Sequence, residues 1–235
     1  MTAAESACGF NNVEKPAGII LCGGRSRRMG QDKSSLEFGP ETLLQRVCRL
    51  TIPATRCLIV VAAADQQLPS LPDQCIVVRD PFPNEGPLAG FLTGLRQLQF
   101  TLTEDASNDV WPDQNQTVWV SSCDSPFVDA AAIASLNQLV LRRPETDAAV
   151  PKSDGRAFPL NAVYRRQVIT HVQACLEQNQ RSMKSLLSRL NVFSVPTEEN
   201  LSNTKAMFRQ HFLMNINTQQ DLELARDHLQ NCVCE

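Results

Sequence analysis

One stretch of the chain, AGIILCGGRSRRMGQDK at residues 17–33, limits its folding and chemistry more than any other. It begins with a short apolar run, which is typical of a buried parallel strand. Gly23 and Gly24 follow directly, and without a Cβ they allow the backbone to approach a ligand closely. Four cations then lie within nine positions: Arg25, Arg27, Arg28 and Lys33. Backbone N–H groups and cations at one turn indicate a polyphosphate-binding loop.

Two common phosphate loops do not fit this stretch. The P-loop needs Gly-x-x-x-x-Gly-Lys-Ser/Thr, whereas the interval from Gly24 to Gly30 is too long and no Gly precedes Lys33. The dinucleotide fingerprint Gly-x-Gly-x-x-Gly fails because Gly23 and Gly24 are adjacent. An ordinary basic strand-to-helix loop is the alternative that a Gly-Gly pair alone would favour.

Bulk properties limit the class of protein. The chain has 235 residues and no long polar linker, so we expect a flexible tail at 1–16 and a single domain at 17–235. A net charge of −3 excludes a general nucleic-acid binder. No apolar run approaches the roughly 20 residues that a membrane span needs, and the polar N-terminus does not resemble a signal peptide.

The nine cysteines are scattered along the chain. Only Cys232 and Cys234 form a close pair, and no second Cys or His cluster completes a zinc site. Cysteines in apolar segments usually behave as small free hydrophobes. The pattern therefore indicates a reduced protein of the cytoplasm.

Apolar runs alternate with helical periodicity along the rest of the chain. Strands are predicted at 57–62, 75–78, 117–122, 147–151 and 191–195, and helices at 42–50, 91–100, 128–142, 165–178 and 182–190. The polar residues 101–116 are expected to form a surface loop. This order predicts an α/β fold, a Rossmann-like three-layer sandwich with a mostly parallel sheet and helices on both faces.

Two carboxylates follow predicted strands. Asp80 ends the third strand and Asp124 follows the strand at 117–122, and ligands of open α/β sheets bind beyond such strand ends. Asp124 is a candidate Mg²⁺ ligand, because Mg²⁺ is usually held by one or two carboxylates together with substrate phosphates. The alternatives are that Asp80 only opens a turn before Pro81, and that Asp124 caps the helix starting near Asp129.

Four motifs resemble one family of nucleotidyltransferases. They are Leu-x-Gly-Gly-x-Ser-x-Arg-Met-Gly-x-Asp-Lys at 21–33, Gly-Pro-Leu-Ala-Gly at 86–90, Cys-Asp-x-Pro-Phe at 123–127 and Asn-Ile-Asn-Thr at 215–218. The chain is most similar to the molybdenum cofactor guanylyltransferases, and the resemblance extends from residue 17 to about residue 222. It implies a nucleotide-diphospho-sugar transferase-like fold with a nucleotide-binding half at about 17–127 and an acceptor-binding half at about 128–230. It also implies transfer of GMP from GTP to molybdopterin with Mg²⁺, and release of pyrophosphate.

The resemblance also implies a set of site residues. The catalytic residues would be Arg28, Lys33 and Asp124, with Asp124 as the metal ligand. The nucleotide would contact Leu21, Cys22, Gly23, Gly24, Lys33, Asp80, Gly86, Pro87, Leu88, Gly90 and Asp124. The acceptor would face Arg181, Asn215 and Asn217, although a surface arginine without a role is the alternative for Arg181.

The chain departs from the family pattern near the end of its second strand. The family places a nucleotide-holding Asn there, and this chain has Ala62-Ala63-Ala64-Asp65, so the contact is missing or Asp65 replaces it. A CTP-using molybdopterin cytidylyltransferase and a transferase acting on a sugar or another phosphate therefore stay open. A Gly-Gly pair favours guanine, since the cytidylyltransferases more often begin with Ala-Ala-Gly.

A non-catalytic nucleotide or cofactor carrier is the alternative from another class. Lys33, Asp80 and Asp124 occur together in one chain, which favours an enzyme, because a pure binder needs no metal carboxylate. The expected partners are GTP, molybdopterin, and recipient molybdoenzymes or their chaperones. Neither nucleic acid nor a membrane is expected as a partner.

Overall fold

The structure, a computed structural model, describes residues 15–23, 32–82, 85–104, 116–197, 208 and 211–232. Most of the predicted tail at 1–16 lies outside these ranges. The strands are β1 (Ala17–Leu21), β2 (Glu37–Phe38), β3 (Glu41–Thr42), β4 (Leu58–Ala63), β5 (Cys75–Asp80), β6 (Thr117–Ser122), β7 (Ala148–Ser153), β8 (Arg156–Ala157), β9 (Asn161–Arg165) and β10 (Val192–Pro196). The helices are α1 (Leu43–Thr51), α2 (Pro87–Glu104), α3 (Ala130–Leu141), α4 (Ile169–Glu177), α5 (Met183–Leu187) and α6 (Gln219–Cys232).

The main sheet has the strand order β10-β7-β9-β6-β1-β4-β5, with β8 paired to β7. β1 lies at its centre and pairs in parallel with β4 and β6, while β5 and β10 also pair in parallel with their neighbours. β9 runs antiparallel between β6 and β7. The predicted α/β fold with a mostly parallel sheet is confirmed.

Alternating apolar side chains bury both faces of the sheet. In β1, Ile19 and Leu21 belong to the core under α2, α4 and α5, whereas Ile20 belongs to the core under α1 and α3. In β6, Trp119 packs on the second face, and its neighbours pack on the first. Each such buried side chain stabilises the fold by about 1.5–3 kcal/mol. Because successive side chains of a strand point to opposite faces, these strands need helices on both sides of the sheet, which gives three layers.

A third apolar cluster attaches the C-terminal segment near the end of β1. Leu222 and Ala225 of α6 pack with Phe38 and Leu43, together with Ile216 just before the helix. Arg226 also donates a hydrogen bond of 2.7 Å to the carbonyl of Glu37. This docking carries the residues that precede α6 to the carboxyl edge of the sheet.

Several element boundaries differ from the sequence prediction. α2 starts at Pro87 and continues to Glu104, so part of the predicted loop is helical, while 105–115 lie outside the described residues. Proline suits the first helical position because its φ is already helical and no intrahelical N–H bond is needed there. β9 was not predicted as a strand, because its pairing depends on distant partners in β6 and β7. None of the helices in the described part of the chain combines the length and apolarity of a bilayer span.

Candidate active site

The candidate site lies at the carboxyl edge of the parallel strands. β1 ends at Leu21, β4 at Ala63, β5 at Asp80 and β6 at Ser122, and these strands run in one direction. Their ends therefore meet at one edge of the sheet, where ligands of open α/β folds bind. The sequence-predicted residues that the structure describes can be located relative to this edge.

Lys33, Asp124 and Asn217 form the centre of the site. The Lys33 Nζ donates hydrogen bonds to Asp124 Oδ2 at 2.8 Å and to Asn217 Oδ1 at 3.0 Å. The side chains of Lys33 and Asp124 are largely buried, with exposed fractions of 16% and 18%. Two predicted residues from distant parts of the chain thus contact the ammonium group of a third.

Asp124 is held in place by its own strand end and by the C-terminal segment. The Ser122 hydroxyl donates to its Oδ1, and the N–H of Ile216 donates to its backbone carbonyl at 2.8 Å. Helix α3 is capped instead by Asp129, whose Oδ1 accepts from the N–H of Ala131 at 2.7 Å. The alternative that Asp124 caps this helix is therefore wrong.

Asn217 is positioned by the start of α6. Its backbone N–H donates to Asp221 Oδ2 at 2.9 Å, and the N–H of Asp221 donates to the Thr218 hydroxyl at 3.1 Å. The hydrogen bond from the Asn217 backbone lowers the pKa of the Asp221 carboxyl below its usual value. This reciprocal capping fixes the turn that presents Asn217 to Lys33.

Asn215 is linked to β9 through a chain of polar side chains. Its Oδ1 accepts from the Ser125 hydroxyl at 2.9 Å, and that hydroxyl accepts from Asn161 Nδ2 at 3.4 Å. The Ser121 hydroxyl in turn donates to Asn161 Oδ1 at 3.0 Å. The Ser125 hydroxyl also lies 3.4 Å from the Ser122 hydroxyl, which donates to Asp124, so Asn215 is linked both to β9 and to the Lys33 cluster.

The oxygens that surround Lys33 suit a magnesium ion. Carboxylate and amide oxygens are hard ligands of the type that Mg²⁺ prefers, and here they converge on an ammonium group that stands in for a cation. Within the described ranges, no group of three His, Cys, Asp or Glu side chains could hold a metal by itself. Asp124 and Asn217 thus fit an ion that takes its other ligands from phosphates and water.

Asp80 lies between a turn and helix α2. Its Oδ1 accepts from the N–H of Phe82 at 3.0 Å, as the turn alternative predicted, and also from the Thr93 hydroxyl at 3.3 Å. A Cβ placed on Gly90 would lie 3.9 Å from Asp80 Oδ2 and 3.4 Å from Leu21. Both distances are ordinary van der Waals contacts, so Gly90 lies directly beside Asp80 and β1.

Gly86 and Arg181 lie against each other just before the start of α2. Gly86 has φ +82°, and a Cβ there would lie 2.8 Å from the carbonyl oxygen of Arg181. Arg181 forms an ion pair with Glu85 and donates to Asn179 Oδ1 at 3.1 Å. Arg181 is therefore not an isolated surface residue.

A cleft of about 720 Å³ adjoins this contact. Arg181, Asn215 and Pro87 line it, so it brings together two of the residues predicted to face the acceptor. Arg156 and Phe158 also line it, with the guanidinium 5.3 Å from the ring centroid. Sequence reasoning did not single out Arg156, because an exposed arginine in a short hairpin carries no signal of its own.

The other predicted nucleotide contacts lie near the end of β1 and the start of α2. Burial raises the pKa of the Cys22 thiol to about 12, and its Sγ donates to the carbonyl of Val61 at 3.2 Å. The Leu88 side chain is fully buried in the core, so only its backbone could reach a ligand. Gly24 and Arg28 lie outside the described residues, and their roles stay predictions.

Gln66 is a contact that sequence reasoning missed. Asp65, the suggested substitute for the family's Asn, is exposed in the turn after β4, while the Gln66 carboxamide contacts the Cys22 carbonyl just after β1 and the Asp32 carboxylate. The only available signal was a polar side chain three residues beyond a buried strand.

Comparison with known proteins identifies the family of the chain. Residues 18–193 match the model of the MobA-like NTP transferase domain, which is well over half of the chain. The chain belongs to this family. The resemblance inferred from its motifs is thereby confirmed.

Named relatives of this NTP transferase cover nearly its whole length. A probable molybdenum cofactor guanylyltransferase of Bacillus mycoides is 28% identical over 226 residues, covering 93% of this chain and 100% of the relative. Another, from Carboxydothermus hydrogenoformans, is 29% identical over 205 residues, covering 87% of this chain and 91% of the relative.

Solved structures show the same fold. Molybdopterin-guanine dinucleotide biosynthesis protein A from Archaeoglobus fulgidus superposes with a TM-score of 0.69 at 22% identity, over 92% of this chain and 99% of that one. The 2-C-methyl-D-erythritol 4-phosphate cytidylyltransferase from Thermus thermophilus superposes with a TM-score of 0.60 at 15% identity, over 90% and 98%.

Proposed function

We propose that this transferase moves GMP from GTP to the terminal phosphate of molybdopterin and releases pyrophosphate, in a Mg²⁺-dependent reaction. The observation that carries the proposal is the convergence of Lys33, Asp124 and Asn217 at the carboxyl edge of the sheet. The choice of a guanine nucleotide follows the names of the guanylyltransferase relatives. The choice of molybdopterin follows the name of the Archaeoglobus fulgidus protein.

The chemistry requires two anions to be held in line. A terminal phosphate oxygen of the acceptor forms a bond to the α-phosphorus of GTP, and the bond from that phosphorus to the bridging oxygen breaks, so that pyrophosphate leaves. The acceptor oxygen is already anionic, so the protein need not supply a base. Positioning and charge neutralisation are the main tasks, as in other phosphoryl-type transfers.

The residues of this chain divide those tasks. Lys33 would leave Asp124 and donate to the triphosphate, while Asp124 and Asn217 would hold the Mg²⁺ through their side-chain oxygens. When bound, Mg²⁺ neutralises phosphate charge and acts as a Lewis acid. Asp80 and the backbone from Gly86 to Gly90 would hold the nucleoside beside α2.

The acceptor would bind in the cleft of about 720 Å³. Arg181 and Arg156 supply positive charge at its lining, and Asn215 supplies an amide. Phe158 and Met183 supply apolar surface for a flat ring. A phosphorylated heterocycle needs this combination of cations, amides and apolar surface.

A CTP-using transferase is the second candidate. The observation behind it is the stretch Ala62-Ala63-Ala64-Asp65 at the end of β4, where the resembled family has a nucleotide-holding Asn and this chain has none. Pyrophosphate release should be measured with each of four nucleoside triphosphates, with and without molybdopterin. Release with GTP that needs molybdopterin supports the proposal; the same dependence with CTP supports the second candidate, and no release with any of the four refutes both.

We also propose a reducing compartment, the cytoplasm, as the site of action. Among the described residues, six cysteines carry free thiols: Cys22, Cys48, Cys57, Cys75, Cys123 and Cys175. Free thiols of this number persist where glutathione and thioredoxin keep them reduced. Recipient molybdoenzymes or their chaperones are the proposed protein partners.

A further inference from the structure

The Gln66 side chain occupies a gap in the sheet between β1 and β4. The N–H of Cys22 donates to the carbonyl of Val61 at 2.9 Å, which is a normal bond of a parallel ladder. The next bond of that ladder would run from the N–H of Ala63 to the carbonyl of Cys22. Instead, Ala63 donates to Gln66 Oε1 at 3.1 Å, and Gln66 Nε2 donates to the Cys22 carbonyl at 3.0 Å.

The carboxamide thus bridges the two backbone groups that would otherwise form this hydrogen bond with each other. A tight turn makes this possible, because the N–H of Gln66 donates to the Ala63 carbonyl at 3.2 Å and folds the side chain back over the strand end. Arg79 of β5 holds the turn with hydrogen bonds of 3.0 and 2.8 Å to the carbonyls of Ala63 and Gln66.

The same amide nitrogen also reaches the residue before Lys33. Gln66 Nε2 lies 2.8 Å from Asp32 Oδ2 and 3.0 Å from its Oδ1. Asp32 Oδ1 accepts in turn from the N–H of the buried Ser34 at 2.9 Å. One side chain therefore joins Cys22 and Asp32, which flank the glycine- and arginine-rich segment in the sequence.

The orientation of the carboxamide is fixed by its partners. The N–H of Ala63 can only donate, so it requires the Gln66 oxygen, and the Cys22 carbonyl can only accept, so it requires the nitrogen. A carboxylate of the same shape would place an oxygen against the Cys22 carbonyl and the Asp32 carboxylate. No rotation of such a group would remove both conflicts.

We infer that Gln66 is a positioning residue for triphosphate binding. It sets the spacing between Cys22 and Asp32 and thereby places Lys33 at Asp124, and it does so where this chain lacks the family's Asn. This inference rests on the proposed function, because it assumes that Lys33 contacts the triphosphate. The base and the phosphates need not touch Gln66 itself.

The sharpest test compares Gln66→Glu with Gln67→Glu. Both variants make the same chemical change, but the Gln67 side chain is exposed. Binding of GTP with Mg²⁺, without acceptor, is measured by calorimetry. We expect the Kd to rise about tenfold for Gln66→Glu and less than about twofold for Gln67→Glu, because only the first breaks charge-assisted contacts.

Two further readouts separate positioning from general structural damage. In turnover assays, the KM for GTP should rise while the KM for the acceptor changes little. Adding Asp32→Asn to Gln66→Glu should recover part of the affinity, because an amide can donate to the new carboxylate. If Gln66→Glu fails to fold, Gln66→Met has a similar shape without the charge, and its Kd should also rise.

The outcomes are distinguishable. Equal GTP affinity in the two glutamate variants overturns the inference and leaves the proposed function intact. Equal losses for GTP and acceptor, with no recovery by Asp32→Asn, make Gln66 merely structural and also overturn it. A wild-type protein that binds no GTP refutes the proposed function and the inference together.

Discussion

The ammonium group of Lys33 lies 2.8 Å from Oδ2 of Asp124, although 91 positions separate the two residues in the chain. Each partner of this ion pair suits one part of a metal–triphosphate complex, the cation for phosphate oxygens and the carboxylate for Mg²⁺. The pair must therefore open when such a complex binds. Until then, Lys33 occupies the oxygens that a metal ion would use.

Replacing Lys33 should expose this competition. In Lys33→Met, Asp124 and Asn217 lose their cation, so Mn²⁺ alone should bind more tightly, by about tenfold, because the metal no longer displaces an ammonium group. The affinity for GTP should fall in the same variant. Electron paramagnetic resonance of free Mn²⁺ and calorimetry measure the two effects. The exposed Lys184→Met is the control, and unchanged Mn²⁺ affinity in Lys33→Met would refute the competition.

Substitutions at Asp124 and Asp129 should distinguish an effect on turnover from an effect on stability. Asp124→Asn keeps the size of the side chain but removes the charge, so we expect kcat to fall by about 100-fold or more with little change in melting temperature. Asp129→Ala removes the cap of α3 and should cost about 1 kcal/mol of unfolding free energy, with near-normal kcat. Near-normal turnover of Asp124→Asn would remove this residue from the mechanism.

The fold should require glycine at position 86, because a side chain there would be both strained and too close to Arg181. Gly86→Ala must adopt φ +82° and push its Cβ against the Arg181 carbonyl, 2.8 Å away, so we expect a loss of about 1–3 kcal/mol in unfolding free energy and a raised acceptor KM. Gly155→Ala is a matched control, because Gly155 has φ +74° but no atom within 4 Å of the added Cβ. Equal effects of the two substitutions would show that only backbone strain matters.

A histidine pair should make stability depend on pH. His211 stacks on His228 with 3.6 Å between ring centroids, and burial, followed by the charge of His228, lowers the pKa of His211 below 6.5. The unfolded chain therefore takes up this proton first, so the contribution is complete above pH 6.5 and is lost as the pH falls through the lower folded value. Urea unfolding at pH 7.5 and 5.5 measures the loss.

His211→Asn is the variant for this test. Asparagine does not titrate and tolerates the left-handed φ of +67° at this position. Its stability should change less than that of the wild type between the two pH values. Among the described residues, the carboxyl groups with a lowered pKa are Glu41 and Asp221, and their ordinary values of 4.5 and 3.8 already lie below this window. An unchanged slope in His211→Asn would contradict the assignment to His211.

The sequence predicts those parts of the fold that depend on local periodicity. The alternation of Ile19, Ile20 and Leu21 determines which side of β1 faces which helices, and period and polarity are visible in the chain alone. The antiparallel position of β9 was not predictable in this way, because it depends on pairing with residues about 45 positions earlier in the chain, such as Thr117 with Arg165.

The same limit applies to the site. Asp124 and Lys33 stand in motifs whose order and residue types indicate phosphate and metal chemistry. Gln66 stands in no motif, and its importance arises only when a turn folds its amide into a gap between two strands. A side chain that bridges two backbone groups of neighbouring strands cannot be predicted from residue type or spacing.

A crystal structure of the protein with GTP and Mn²⁺, with the metal located by its anomalous signal, tests the central claim most directly. We predict an anomalous peak at Asp124 Oδ2, with Lys33 Nζ moved from that oxygen onto a phosphate of the nucleotide. A structure in which Lys33 keeps its contact with Asp124 while GTP and metal bind elsewhere would contradict the account.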